Sequence, residues 1–174
     1  MLRHRLAGDG LPVVGDRLNR RDLQVALENP NVRAFLRAIR LGEGTADELG
    51  YNRIVGGDTF AHFVDHPRAM RYIKAYKVWS SAAGAYQIIG KTWDGLVKQY
   101  GFPDFSPECQ DEAAVALIAE KRALRHVKEG RIETAIALLG GVWASLPSST
   151  DGQRTEPIQA VLAEYEKYGG TLNT

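Results

Sequence analysis

Cysteine is nearly missing from this chain. Cys109 stands alone among 174 residues, which excludes an intrachain disulfide, a thiolate metal cage and a redox pair. Long apolar runs are missing too: nothing approaches the roughly 18 residues that a membrane-crossing helix needs. The stretch from Met1 to Asn19 alternates charge, glycine and isolated aliphatics, without the apolar segment of a secretory signal. The chain is therefore expected to be made in a cytoplasm, with no signal peptide and no stable insertion into a membrane. A surplus of one charge is absent as well. The 22 Lys and Arg face 21 Asp and Glu, a formal +1, whereas a phosphate-rich partner calls for a basic surface, so nucleic acid is not expected as a partner. Metal and nucleophile patterns are equally scarce: His4, His62, His66 and His126 are scattered, no H-E-x-x-H occurs, and no G-x-S-x-G surrounds a serine. His62 and His66 are a close pair, but Pro67 and the neighbouring turn residues keep them off a common helix, so they read as turn and surface histidines. No metal and no cofactor are expected.

What is present is an ordinary globular composition, 44% hydrophobic and 25% charged, at a length that suits one compact domain. Residues 1–28 read as an N-terminal extension of unknown role. Gly8, Gly10, Pro12 and Gly15 interrupt any pattern before a short helix expected from Arg20 to Glu28. Asn29 then reads as an N-cap with Pro30 at the first helical position. Val32, Phe35, Leu36 and Ile39 fall on one face of a helix running to about Leu41, where Gly42-Glu43-Gly44 stops it. The helical period then disappears. Tyr51 to Val55, the turn-prone Gly56-Gly57-Asp58, and Thr59 to Val64 suggest a small β-hairpin region. Helices return at Lys91–Tyr100, from the Ser106 cap to about Lys128, at Arg131–Leu139 and at about Glu156–Tyr168. The expectation is an α+β fold, mostly α, with residues 29–174 as the functional domain; a chain beginning near Asn29 is expected to fold.

Two segments carry candidate chemistry. Glu43 stands at the carboxyl end of an apolar-faced helix, where the helix field disfavours a carboxylate and its proton is held more tightly, as a general acid requires. Burial beside aromatic rings would add to that effect. By position alone the commoner reading is a solvated glutamate closing a helix. The second segment is Ser80-Ser81-Ala82-Ala83-Gly84-Ala85-Tyr86-Gln87, whose small residues allow close approach and whose terminal amide both donates and accepts. A glycan is such a partner, and Trp79, Trp93, Trp143, Tyr51 and Tyr86 offer flat faces, although Trp93 and Trp143 sit in helical apolar patterns and read first as core.

A series of motifs follows in unbroken order from about Val32 to Gly170: Glu43-Gly44-Thr45, Gly50-Tyr51, Ile54-Val55-Gly56-Gly57, Asp65-His66-Pro67-Arg68, Ala83-Gly84-Ala85-Tyr86-Gln87, Asp104-Phe105-Ser106-Pro107, Gln110-Asp111 and Trp143-Ala144-Ser145-Leu146-Pro147. Together they resemble the bacteriophage lambda endolysin family, lysozyme-like lytic transglycosylases of tailed phages. The resemblance implies a lysozyme-like fold, a helical core with a small β-hairpin subdomain flanking the active-site cleft. It places the catalytic acid on Glu43 and glycan contacts on Thr45, Tyr51, Tyr86, Gln87 and Ser145. Two positions depart from the pattern: Asn52 replaces an Asp after the hairpin Tyr, and Ser148-Ser149-Thr150-Asp151 replaces an aromatic residue after A-S-L-P.

The implied reaction cleaves the β-1,4 bond between N-acetylmuramic acid and N-acetylglucosamine in peptidoglycan and closes a 1,6-anhydro ring. The implied partner is the glycan strand, for a monomer made in the host cytoplasm that reaches periplasmic peptidoglycan through holin pores. Other readings stay open at this stage. A hydrolytic muramidase could pair Glu43 with Asp47, Glu48 or Asp58. A virion-associated wall-degrading enzyme, or a phage component that kept the fold without activity, would fit the same outline.

Overall fold

The computed structural model describes residues 17–147 and 157–173. Helix α1, Arg20–Ala26, opens with a reciprocal cap: Asn19 accepts from the Asp22 backbone N–H at 3.0 Å while Asp22 accepts from the Asn19 N–H at 2.7 Å. Helix α2, Pro30–Gly42, starts as expected, with the Asn29 side chain accepting from Asn31 N–H and Pro30 in the first turn. Its Val32, Phe35, Leu36 and Ile39 are buried. A two-stranded antiparallel sheet follows, β1 Arg71–Ile73 and β2 Val78–Ser80, in register Tyr72 opposite Trp79. The rest is helical: α3 Gly90–Tyr100, α4 Pro107–Glu120, α5 Leu124–Lys128, α6 Ile132–Leu139 and α7 Ile158–Lys167.

Helix α4 is the central element. Residues Cys109, Gln110 and Glu112 to Ile118 are all buried, the pattern of a helix enclosed on every side. Helix α2 packs most extensively on α7 and also against α5 and α4, while α3 leans on α4. Trp93, stacked on Phe102 and edge-on to Phe105, fills the space beside α3, and Trp143 is likewise buried.

Four sequence expectations change. The boundary at residue 28 is not a packing boundary: Leu23 and Ala26 of α1 lie in the core, Leu18 and Leu27 pack against it, and α1 lies on α4. The hairpin expected over Tyr51–Val64 shrinks to one antiparallel bridge, Arg53 with Thr59. Phe60 packs on Phe105, and the Phe63 carbonyl accepts from Phe105 N–H, so the helical core draws the returning limb away. The ladder forms instead at 71–80, a stretch without an anticipated strand. The long helix expected to Lys128 is two helices, broken at Arg122 in a left-handed conformation (φ +58°), after which α5 turns onto α2 and α6. Finally, His66 is no surface residue: it is buried, its Nε2–H on the Ile88 carbonyl at 2.7 Å and its Nδ1 accepting from Arg68 N–H at 2.9 Å. Burial holds its pKa below that of a free imidazole.

Candidate active site

Helix α2 delivers Glu43 as its C-terminal cap, with the Glu43 N–H still bonded to the Ile39 carbonyl at 3.0 Å. Gly44 follows at φ +70°, a left-handed conformation that ends the helix and leaves the glutamate at its rim. The side chain is half-buried. Removal from water pushes its pKa above the ordinary carboxylate value, adding to the helix-end field that position alone implies. The Ser145 hydroxyl, donating to Oε1 at 2.5 Å, pulls it part of the way back. Neither cause is a neighbouring charge.

Behind this carboxyl lies a closed chain of contacts. Arg40, one helical turn earlier and buried, donates from Nε and Nη2 to the Thr45 carbonyl at 2.9 and 2.7 Å, and from Nη2 to the Asp47 carbonyl at 3.0 Å. It therefore clamps the loop that leaves Glu43. Gly50 makes the clamp possible, because a Cβ there would stand 1.9 Å from the Thr45 oxygen and 2.7 Å from Arg40 Nη2. The guanidinium also lies 4.5 Å from the Tyr51 ring centre. The Tyr51 and Tyr86 hydroxyls both donate to Asp111 Oδ1, at 2.8 and 2.6 Å. Burial lifts the Tyr51 hydroxyl to about 12 and Tyr86 well above the usual phenol range, so both remain protonated donors. The same burial raises Asp111, opposed by the two hydroxyls and by Arg40. The Tyr86 carbonyl accepts from Trp143 Nε1 at 3.0 Å, and two residues beyond Trp143 stands Ser145 on Glu43.

The residues expected to touch glycan therefore divide. Thr45 is fully buried, its hydroxyl donating to the Ala85 carbonyl at 2.5 Å, and Tyr86 is 2% exposed. Both hold the loops around the site from within. Gln87 adopts φ +48° and spends its Nε2 on the Gly84 and Arg53 carbonyls at 2.9 and 3.3 Å, stapling its own turn. Tyr51 is half-buried over Arg40, and Ser145 is committed to Glu43. The stretch 148–151 lies outside the described residues. Sequence reading did not single out Arg40 or assign Asp111 a role. The available sign was a cation on the otherwise apolar buried face of α2 and an aspartate just ahead of the apolar run Ala113–Ile118 of α4. Of the other candidate carboxylates, Asp47 pairs with Arg53 at 2.8 Å and Asp58 reaches Arg71 at 3.7 Å. Among the described residues, no three His, Cys, Asp or Glu are grouped to hold a metal ion.

The comparison with known proteins agrees with this architecture. The family model described as Endolysin matches residues 33–172. The endolysin of Escherichia phage lambda is 37% identical over 150 residues, covering 83% of this chain and 94% of the relative. That of Escherichia phage P2 is 36% identical over 154 residues, covering 80% and 93%. Among solved structures, bacteriophage lambda lysozyme complexed with a chitohexasaccharide matches with a TM-score of 0.79 and 36% identity, over 83% of this chain and 97% of that one. A second lambda lysozyme structure gives 0.76 at 35% identity. With its helical core, its small antiparallel sheet and its matched span, the chain belongs to the endolysin family.

Proposed function

We propose that the protein is a lytic transglycosylase that cleaves the β-1,4 bond between N-acetylmuramic acid and N-acetylglucosamine, with Glu43 as its acid and then its base. Family membership supports the wall polymer as substrate, and the chitohexasaccharide bound by lambda lysozyme supports a glycan site. The observation that carries the mechanism is the state of Glu43: a half-buried carboxyl with a raised pKa, one hydroxyl bonded to it, and no neighbouring charge contributing to its shift. A retaining glycosidase places its second carboxylate about 5–5.5 Å away, where like-charge repulsion would add to the shift. Here burial and Ser145 account for it.

The step balances with one carboxyl group. Glu43 gives its proton to the glycosidic oxygen as the bond to muramoyl C1 breaks. The resulting carboxylate takes the proton of the C6 hydroxyl as that oxygen bonds to C1. The acid is regenerated and no water is consumed. Ser145 fixes the orientation of the carboxyl, and the half-buried Tyr51 and Gln87 are assigned as contacts for sugar. In this reading the protein acts as a monomer, is synthesised in the host cytoplasm, and reaches the periplasmic peptidoglycan through holin-formed pores.

The test is the mass of the muropeptides released from purified peptidoglycan. Anhydro-muropeptides, each one water lighter than a hydrolysis product, are expected to dominate. Reducing-end muramic acid as the main product would assign the protein to the hydrolytic muramidases.

A further inference from the structure

A recess of about 260 Å³ lies along α2, lined by Leu27, Arg33, Leu36, Arg37 and Arg40, with Asp111 contributed by α4. Glu43, Gln87 and Ser145 do not line it, and of the residues assigned to sugar only Tyr51 does. Arg33 stands ten residues before Glu43, about 15 Å along the helix axis. Arg40 is the most buried of the lining charges, at 8% exposed. Its Nε and Nη2 are spent on the Thr45 and Asp47 carbonyls, and its Nη1 forms no hydrogen bond among the described residues. Asp111 is the matching anion. Its Oδ1 accepts from Tyr51 and Tyr86, which leaves Oδ2 without a donor among the described residues. Arg40 opposes the rise in the Asp111 pKa, yet among the described residues no ion pair joins the two. Arg37 adds a buried Nε with no hydrogen bond, 4.0 Å from Glu164 Oε1. Three arginines against one aspartate leave the lining a surplus of positive charge.

We propose that this recess binds the head of an amino acid, its carboxylate on Arg40 and Arg37 and its ammonium on Asp111. An unpaired guanidinium nitrogen and an unpaired carboxylate oxygen in one small recess call for a ligand that carries both partners, because each is costly to keep from water alone. A simple anion would satisfy Arg40 and be repelled by Asp111. A neutral sugar would leave both charges without a counterion. The size agrees: sites for drug-sized ligands begin at about 300 Å³, so the recess suits an amino acid and is too small for a run of sugar rings. The surplus of positive charge favours an acidic side chain, whose second carboxylate the exposed Arg33 can meet. Such a head occurs on free amino acids and on the side chain of diaminopimelate in wall peptides. The second source rests on the wall polymer being the substrate, and the first does not.

Calorimetric titration of the full chain with glutamate, and with glutarate, the same acid without its ammonium, tests the assignment. Glutamate is expected to bind about tenfold tighter or more, because the ammonium adds a charge-assisted bond. Asp111→Asn keeps an acceptor for the two tyrosines and is expected to abolish that preference. Arg37→Gln is expected to weaken glutamate by about tenfold. If that change loosens α7 through the lost contact with Glu164, Arg33→Gln reads a loss of affinity with that contact intact. The source is read by titrating the peptide that an amidase frees from purified peptidoglycan. Tighter binding of the peptide than of glutamate assigns the head to the wall, and the reverse order assigns it to a free amino acid. The proposal is overturned if neither probe binds at millimolar concentration, if glutarate equals glutamate, or if both arginine variants bind as the parent does. It is also overturned if chitohexaose displaces glutamate, which would make the recess part of the glycan site. No turnover is measured, so the outcome is independent of the reaction proposed for Glu43.

Discussion

At the scale of single residues, Glu43 links catalysis and stability with opposite signs. Its folded pKa is raised, so the folded protein binds an extra proton between the unfolded pKa and the folded one. Stability that is present below the unfolded value is therefore lost as pH climbs through the folded value, and at neutral pH the ionised carboxylate is a burden on the fold. Glu43→Gln keeps the shape, keeps an acceptor for Ser145 and removes the charge. Turnover is expected to fall by at least about 10²-fold, while the melting temperature at pH 7 is expected to equal or exceed that of the parent. A variant that melts well below the parent would show that the carboxylate serves the fold instead. The position of Glu43 at a helix end was legible in sequence. Its bond to Ser145 was not, because the two are separated by 102 residues and meet only through packing.

At the scale of elements, α1 has the clearest consequence. The endolysin match begins at residue 33, and α1 lies before it. Yet Glu112, 4% exposed on α4, receives Arg20 Nε at 2.7 Å and Gln24 Nε2 at 3.2 Å, both from α1. A chain starting at Asn29 would lose both of these bonds to Glu112. It would also uncover the Leu23 contact surface, at about 1.5–3 kcal/mol. Contrary to what the glycine-rich N-terminus suggests, this truncation is expected to lower the urea midpoint markedly or to prevent folding, and an unchanged midpoint would show α1 to be dispensable. Helix starts were readable at Asn29-Pro30 and Ser106-Pro107 because caps are local chemistry. The ends were not always so: nothing local marks Arg122 for a left-handed turn, and the break there follows from α5 packing on α2 and α6.

At the scale of the whole molecule, Asp111 ties the site together. Its Oδ1 accepts from tyrosines on two different loops, one stacked on the arginine that clamps the residues after Glu43, the other hydrogen-bonded through its carbonyl to the Trp143 segment that carries Ser145. Asp111→Ala is expected to cost about 1–3 kcal/mol for each hydroxyl left inside without an acceptor. It should also depress turnover without changing the product. Asp111→Asn retains an acceptor and is expected to recover much of that stability in urea unfolding. Equal behaviour of the two variants would show that the hydroxyls do not depend on this oxygen.

The sequence by itself determined the caps and apolar face of α2, the helix-end position of Glu43, the burial of Trp93 and Trp143, and, through the order of its motifs, the family. These are properties of neighbouring residues, written in helical period, capping chemistry and local order. Only the tertiary structure decided that Thr45 and Tyr86 face inward, that His66 is buried, that the ladder forms at 71–80, and that Arg40, Tyr51, Asp111, Tyr86, Trp143 and Ser145 close a circuit behind the acid. Each depends on which distant surfaces exclude water from one another. That competition is settled by the packing of α2, α4 and the intervening loops together, and no single segment carries it.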